Sequence, residues 1–520
     1  MQFNILHRVI ATALLAFAAP LAAEDGGAAP AVPDYSAMSD QELRGLIGKS
    51  GQRWIEEACT FGQPAMEELV KRHPAEAALQ RGLVFARMFC LDEKGDYRAA
   101  SEDLATLEGT FHLGPMDSLG LYFAARLDDA DAALARLHRM ATSEGGKALE
   151  ELEAHRYWSV ARMIRKQHKE AELGKFALEA WDSPGFADMS VELQQTLAFA
   201  AIKPAIAAGR QDILPQLLQD IRQPGSYTAL LSSREYESIW PAIERHVGAH
   251  MANVTTSYRL WAVARLGTNS DDRDRFSDAA HALHFDGKFE DAIALARKWR
   301  ERPGAFNRIE EGDGWAINIE AYALDSLGRR EEADALFDQL AALDADSHPW
   351  VVNFVINRAD RLVAQGRWQE GLDATVLARE VAEKHGSTYA KMLIADSRVC
   401  ALYHLSRGDE TAEEIAYLLE NQVDAPHVAA QALQCAGRDD EAAALLLAAI
   451  DDEATRATVL DALQPSDFEL FYTASILPKA RDLLPAHPQL QAAFDRYARV
   501  IPAEFIPNAS LRRAQIAKAK

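Results

Sequence analysis

The chain has 520 residues, 48% of them apolar, with a formal net charge of -23 and a pI of about 5.1. That length exceeds what one hydrophobic core usually fills, so several domains or an extended repeat array are expected. The negative overall field repels phosphate backbones and anionic headgroups, which removes nucleic acid from the expected partners.

The first residues read as a secretory signal peptide spanning 1–23. His7 and Arg8 precede an apolar run from Val9 to Ala19, and Pro20, Leu21, Ala22 and Ala23 offer small residues for cleavage before Glu24 and Asp25. The apolar run is shorter than the ~20 residues that span a bilayer. No later segment is apolar enough to do so, and a periplasmic mature form without a transmembrane segment is expected. Residues 24–38, rich in Gly, Ala and Pro, read as a flexible linker. Ser39 followed by Glu42 forms a capping-box pattern, in which each side chain satisfies a free backbone N–H at a helix start.

From there apolar residues recur at three and four positions, with no stretch of strict alternation, so the fold class is all-α. Three regions are expected: a degenerate helical repeat region over 39–265, clear repeats over 266–450, and capping helices over 451–520. The repeats align on Gly287, Gly328, Gly366 and Gly437. A small residue stands seven before each glycine (Ala280, Ala321, Ala359, Ala430), a leucine four before (Leu283, Leu324, Leu362, Leu433) and a small residue five after (Ala292, Ala333, Gly371, Ala442). The glycine can turn the chain back after one helix, and the small residues let two antiparallel helices approach closely.

In that small-Leu-Gly-small pattern the chain resembles the tetratricopeptide repeat family, whose helical hairpins stack into an α-solenoid with a right-handed superhelix. The spacings between the first three glycines, 41 and 38 residues, exceed the family's usual 34. Gly408 is read as a degenerate hinge with His404 in place of the leucine and Ala412 one position early. Gly95 marks a unit in the amino-terminal half, with a weaker turn at Gly62. Between Asp117 and Gly248 the pattern is lost. After Pro465 prolines 478, 485, 488, 502 and 507 break the repeat, and the basic residues Arg512, Arg513, Lys518 and Lys520 read as a helix end complementing its own dipole.

Four cysteines, Cys59, Cys90, Cys400 and Cys435, allow three disulfide connectivities in an oxidising compartment. In the repeat register Cys59 and Cys90 fall late in consecutive first helices and favour each other. Cys400 and Cys435 are displaced along their helices by roughly 9 Å at 1.5 Å per residue and fit less well.

No phosphate-binding glycine loop, zinc-protease motif or nucleophile elbow occurs. His281 and His284 share a helix face, but no third ligand is apparent, so neither metal nor cofactor is expected. The resemblance instead implies a concave face lined by first helices, carrying His281, His284, Asn318, Tyr322, Asp325, Asp360, His427, Gln431 and Gln434. That face suits a protein or peptide, including a cell-wall-associated partner. The expected function is a non-catalytic periplasmic scaffold. The alternatives are a cell-wall enzyme of the superhelical lytic-transglycosylase type, against which Glu504 stands in a short Pro-bounded stretch with nothing near it to suggest a raised pKa or a sugar cleft, and a structural spacer.

Overall fold

The computed structural model describes residues 33–49, 57–108, 114–268, 272–465 and 475–507. The expected signal peptide, the linker up to residue 32 and the basic carboxy-terminal residues lie outside the described residues. The end of the expected linker is anchored: Tyr35 is 5% exposed, its ring lies 6.3 Å from that of Phe61, and its carbonyl accepts from Arg72. The capping box forms as expected, with Ser39 N–H donating to Glu42 and Glu42 N–H donating to Ser39 Oγ.

Every regular element among the described residues is helical, apart from one isolated bridge between Ser233 and Ala498. None of these helices is long and apolar enough to cross a membrane. The chain forms two compact units that divide between Asp220 and Ile221. The first holds α1 (Asp40–Lys49), α2 (Gln63–Arg72), α3 (Ala77–Glu93), α4 (Tyr97–Glu108), α5 (Gly114–Arg126), α6 (Ala130–Thr142), α7 (Ala154–Lys166), α8 (Glu170–Asp182), α9 (Val191–Ala207) and α10 (Leu214–Asp220). The second opens with α11 (Tyr227–Ser232), α12 (Trp240–Val247) and α13 (Ala252–Thr268). It continues with α14 (Arg273–Phe285), α15 (Phe289–Arg300), α16 (Glu311–Ser326), α17 (Arg330–Ala341), α18 (Val351–Ala364) and α19 (Trp368–His385). It ends with α20 (Thr388–His404), α21 (Ala412–Glu420), α22 (Pro426–Cys435), α23 (Asp439–Asp451), α24 (Glu453–Ala462) and α25 (Pro488–Tyr497).

One hinge joins these helices again and again. At Gly328 the backbone is left-handed, φ 78°, and the N–H of Arg329 reaches back 2.8 Å to the carbonyl of Leu324, closing the helix end. The same left-handed residue and the same six-to-one hydrogen bond, 2.8–3.1 Å long, occur at residues 95, 128, 168, 209, 287, 366, 406 and 437. Three of these hinges carry no glycine: Asp128, His168 and Ser406 have φ between 53° and 59°.

Two hinge assignments are thereby corrected. The unit near residue 408 turns at Ser406, so Leu402 and not His404 is the residue four before it, and Thr411 takes the small position five after. Gly62 is no hinge, because its φ of -62° continues a π-helical turn, Ala58–Gly62, into α2. The stretch after Asp117 that lost the pattern keeps the geometry. Leu121, Ala124 and Ala133 around Asp128, and Ala161, Ile164 and Leu173 around His168, are all at most 4% exposed, as are Ile202, Ala205 and Leu214 around Gly209.

Both disulfides form. Cys59 pairs with Cys90 at a Cα separation of 4.5 Å, and Cys400 with Cys435 at 5.0 Å. The second pair is closer than expected because the hinge of its unit is Ser406, which brings Cys400 nearer the register of Cys435.

In the second unit the first helices α14, α16, α18, α20 and α22 each pack on the next, while each also packs on the second helix of its own hairpin. The carboxy-terminal residues do more than cover the last hairpin. Leu483, Leu484, Leu490 and Phe494 join the core of α20 to α24, and the chain then returns to the beginning of the same unit. There Arg499 lies over the Trp240 ring at 3.7 Å, pairs with Glu244 at 2.7 Å and donates to the Leu231 carbonyl.

Candidate functional site

The expected concave face divides into a closed part and an engaged part. Over α14 and α16 it is closed. His284 is 1% exposed and lies edge-on to Phe289, Tyr322 is 3% exposed against Phe337, and Asn318 is fully buried, accepting from Asn357 Nδ2 at 3.3 Å. Asp325 is taken by Arg361 at 2.7 Å and Gln365 at 3.2 Å. His281 packs against Tyr258, and burial pushes its imidazole down to about 4. The outward positions expected for these residues are therefore corrected: Asn318 and Asp325 meet the next first helix, α18, while His284 and Tyr322 pack against the second helix of their own hairpin.

Over α18, α20 and α22 the face meets residues 475–479 of the same chain, which cross it without regular secondary structure and bend at Leu477. Ile476 N–H donates to the Ala364 carbonyl at 2.9 Å. Gln431 Nε2 donates to the Pro478 carbonyl at 3.0 Å and Gln434 Nε2 to the Lys479 carbonyl at 3.2 Å. Leu477, 6% exposed, enters a cluster of Val363, Ala364, Cys400, Ala401 and Leu402. Beneath it the Cys400–Cys435 disulfide ties α20 to α22.

Carboxylates lie on the same face. Asp396 of α20 is 3% exposed, and burial drives its carboxyl well above the ordinary carboxylate range; Asp360 pushes it further and Lys479 pulls it back. His427, the remaining expected residue, is largely covered, and burial lowers its imidazole. Of the expected residues the structure thus gathers Asp360, Gln431 and Gln434 at one place. Sequence reasoning missed Asp396 and the segment itself. An aspartate directly after the apolar run Met392-Leu393-Ile394-Ala395 was the available signal for the first, and nothing in the repeat marks the second.

The energies are modest. Burying a leucine contributes about 2 kcal/mol and each amide–carbonyl hydrogen bond about 1 kcal/mol net.

A second polar region holds the hairpins together. Glu320, with no exposed side-chain surface, is bridged by Arg300 at 2.9 Å, and Arg361, equally buried, joins Asp325 to Asp334. A cavity of about 340 Å³ opens beside Arg361, Arg358 and Arg367. All three guanidinium groups are held by carboxylates, with Arg358 on Asp338 at 2.7 Å and Arg367 on Asp334 at 2.8 Å. Their work is cohesion between α17, α18 and α19. Among the described residues no group of three His, Cys, Asp or Glu side chains is placed to hold a metal ion. Glu504 is exposed, on a short 3-10 turn, Ala503–Phe505. Comparison with family models and with curated proteins finds no match to the chain.

Proposed function

We propose that the chain is an exported, tetratricopeptide-like α-solenoid that works as a periplasmic scaffold, holding an extended polypeptide segment on the α18–α20–α22 face and catalysing nothing itself. The observation that carries the reading is the pair of glutamine side chains, Gln431 and Gln434, whose amides reach the main-chain carbonyls of Pro478 and Lys479 in a segment without regular secondary structure. Main-chain capture by side-chain amides accepts many sequences and suits a binding module. The recurring hinge and the packing of each first helix on the next support the solenoid. The two disulfides and the leader-like residues 1–23 support export.

The test is photo-crosslinking with a library of unstructured 15-residue peptides. A benzophenone side chain is placed in turn at Asp360, at His427 and, as a control on the first unit, at Trp158, which is 43% exposed. Saturable crosslinks at the first two positions and none at the third are expected. Absence of saturable binding at Asp360 and His427 refutes the scaffold, and turnover of muropeptides by the pure protein refutes the non-catalytic part.

A further inference from the structure

We propose that the Cys400–Cys435 disulfide is a thiol–disulfide exchange site, which a dithiol attacks at Cys435 while Asp396 hands its proton to the Cys400 sulfur. The exchange is stoichiometric, so it adds no turnover to the scaffold and stands independently of what the α18–α20–α22 face binds. Its consequence falls on that face, because this disulfide ties the first helices α20 and α22 beneath Leu477.

The two sulfurs are not equally open. Cys400 is fully buried, whereas Cys435 is partly exposed, so an incoming thiolate meets Cys435 first. Asp396 stands one turn before Cys400 on α20, and its Oδ1 lies 3.6 Å from Cys400 Sγ. A disulfide sulfur carries no hydrogen, so this contact is a hydrogen bond only when the carboxyl holds the proton. Burial keeps the proton there by raising the carboxyl well above the ordinary range; Asp360 of α18 adds to the effect and Lys479 opposes it. The Tyr389 phenol, also on α20, is raised by burial and by the same two carboxylates. A thiolate released into so dry a place is costly, and a proton donor at that distance removes the cost. The other disulfide differs. Cys59 Sγ lies 3.1 Å from the Cys90 carbonyl oxygen, which has no proton to give, and the neighbouring Glu93 is exposed and accepts from the Cys59 N–H at 3.1 Å.

The exchange runs in two displacements. A thiolate of the dithiol bonds to Cys435 Sγ, the bond between Cys435 and Cys400 breaks, and its electron pair stays on Cys400 Sγ, which takes the proton of Asp396. The second thiol of the reagent then displaces Cys435 Sγ from the mixed disulfide, and the proton it gives up passes to the Cys435 thiolate. Two electrons have moved from the dithiol, now a disulfide, to the cysteine pair, now two thiols. Asp396 recovers a proton from water. A dithiol is the fitting reagent because a monothiol leaves the Cys400 thiol free to attack the mixed disulfide and restore the original bond.

The experiment exposes the full chain to dithiothreitol, quenches with acid, alkylates, and follows both disulfides by peptide mass spectrometry, with rates divided by the reagent's thiolate concentration. Asp396→Asn is expected to slow the opening of Cys400–Cys435 at least tenfold and to leave Cys59–Cys90 unchanged, with melting curves confirming that the variant folds. In the unaltered chain the divided rate is expected to fall as rising pH ionises Asp396, and in the variant to stay level, a difference that a merely structural role of Asp396 does not produce. Glutathione, a monothiol, is expected to be caught on Cys435 and not on Cys400. Equal opening in the variant, a level pH profile in the unaltered chain, or an adduct on Cys400 overturns the proposal. Should Asp396→Asn fail to fold, the pH profile and the adduct of the unaltered chain decide. Reduced thioredoxin at the same thiolate concentration separates the two sources of a dithiol: faster opening than by dithiothreitol assigns a protein, and slower opening a small molecule.

Discussion

The two units build the same hinge from different materials. In the first, two successive hinges stand on Asp128 and His168, and the residues around them are apolar. In the second, four of five stand on glycine, and the seams between hairpins carry buried ion pairs at Glu320 and Arg361, where the first unit has a buried Arg156 on the Ser118 carbonyl. The difference teaches that the period is kept in backbone geometry and in burial, while the residue at the turn is free to change whenever the surrounding packing offsets the strain.

The charged seam offers the hardest test of that contrast. Replacing Arg361 by Met leaves Asp325 and Asp334 without their shared partner, and a loss of about 3 kcal/mol in the second unit is expected from denaturant melts. No change in midpoint would show that the seam is held by its apolar contacts alone.

Acid probes the same unit through His281. Its imidazole is held neutral down to about 4, whereas in the unfolded chain it takes a proton near 6.5. The unfolded state therefore binds the proton first, and this contribution is complete above pH 6.5 and lost as the pH falls toward 4. His281→Gln should flatten the pH dependence by roughly 3 kcal/mol over that interval relative to the unaltered chain. Parallel curves for the two proteins would remove His281 from the account.

The hinge itself separates the units with smaller effects of opposite sign. Gly328→Val forces a β-branched residue to a φ of 78°, with no steric neighbour to blame, so a loss of about 1–2 kcal/mol is purely conformational. Asp128→Gly and His168→Gly relieve the same strain and should each stabilise the first unit by about 0.5–1 kcal/mol. If glycine destabilises both sites, those side chains hold their turns by contacts and the equivalence of the hinges fails.

Why some of this was legible and some not follows from particular residues. The glycines at 287, 328, 366 and 437 announce the turn because few other residues adopt it cheaply. Ser406 was hidden by Gly408 two positions later, although Arg407 and Glu410, whose bidentate pair repeats at Arg329–Glu332 and Arg438–Glu441, mark the true register. Asp128 and His168 were hidden because their identity says nothing of their conformation; only the burial of residues seven before, four before and five after reveals them.

Helix content and the hinge pattern around the four glycines were local properties, written in apolar spacing and in the conformational freedom of single residues, and the sequence by itself determined them. It also supplied four cysteines in helices able to meet. Which faces stay open is a non-local matter. Asn318 is buried where the next first helix brings Asn357 to it, Tyr322 is buried against Phe337 of its own hairpin, and Gln431 and Gln434 are engaged because a segment more than forty residues later returns across them. Only tertiary structure decides that, since the free energy of covering a helix face depends on what else the chain brings to it.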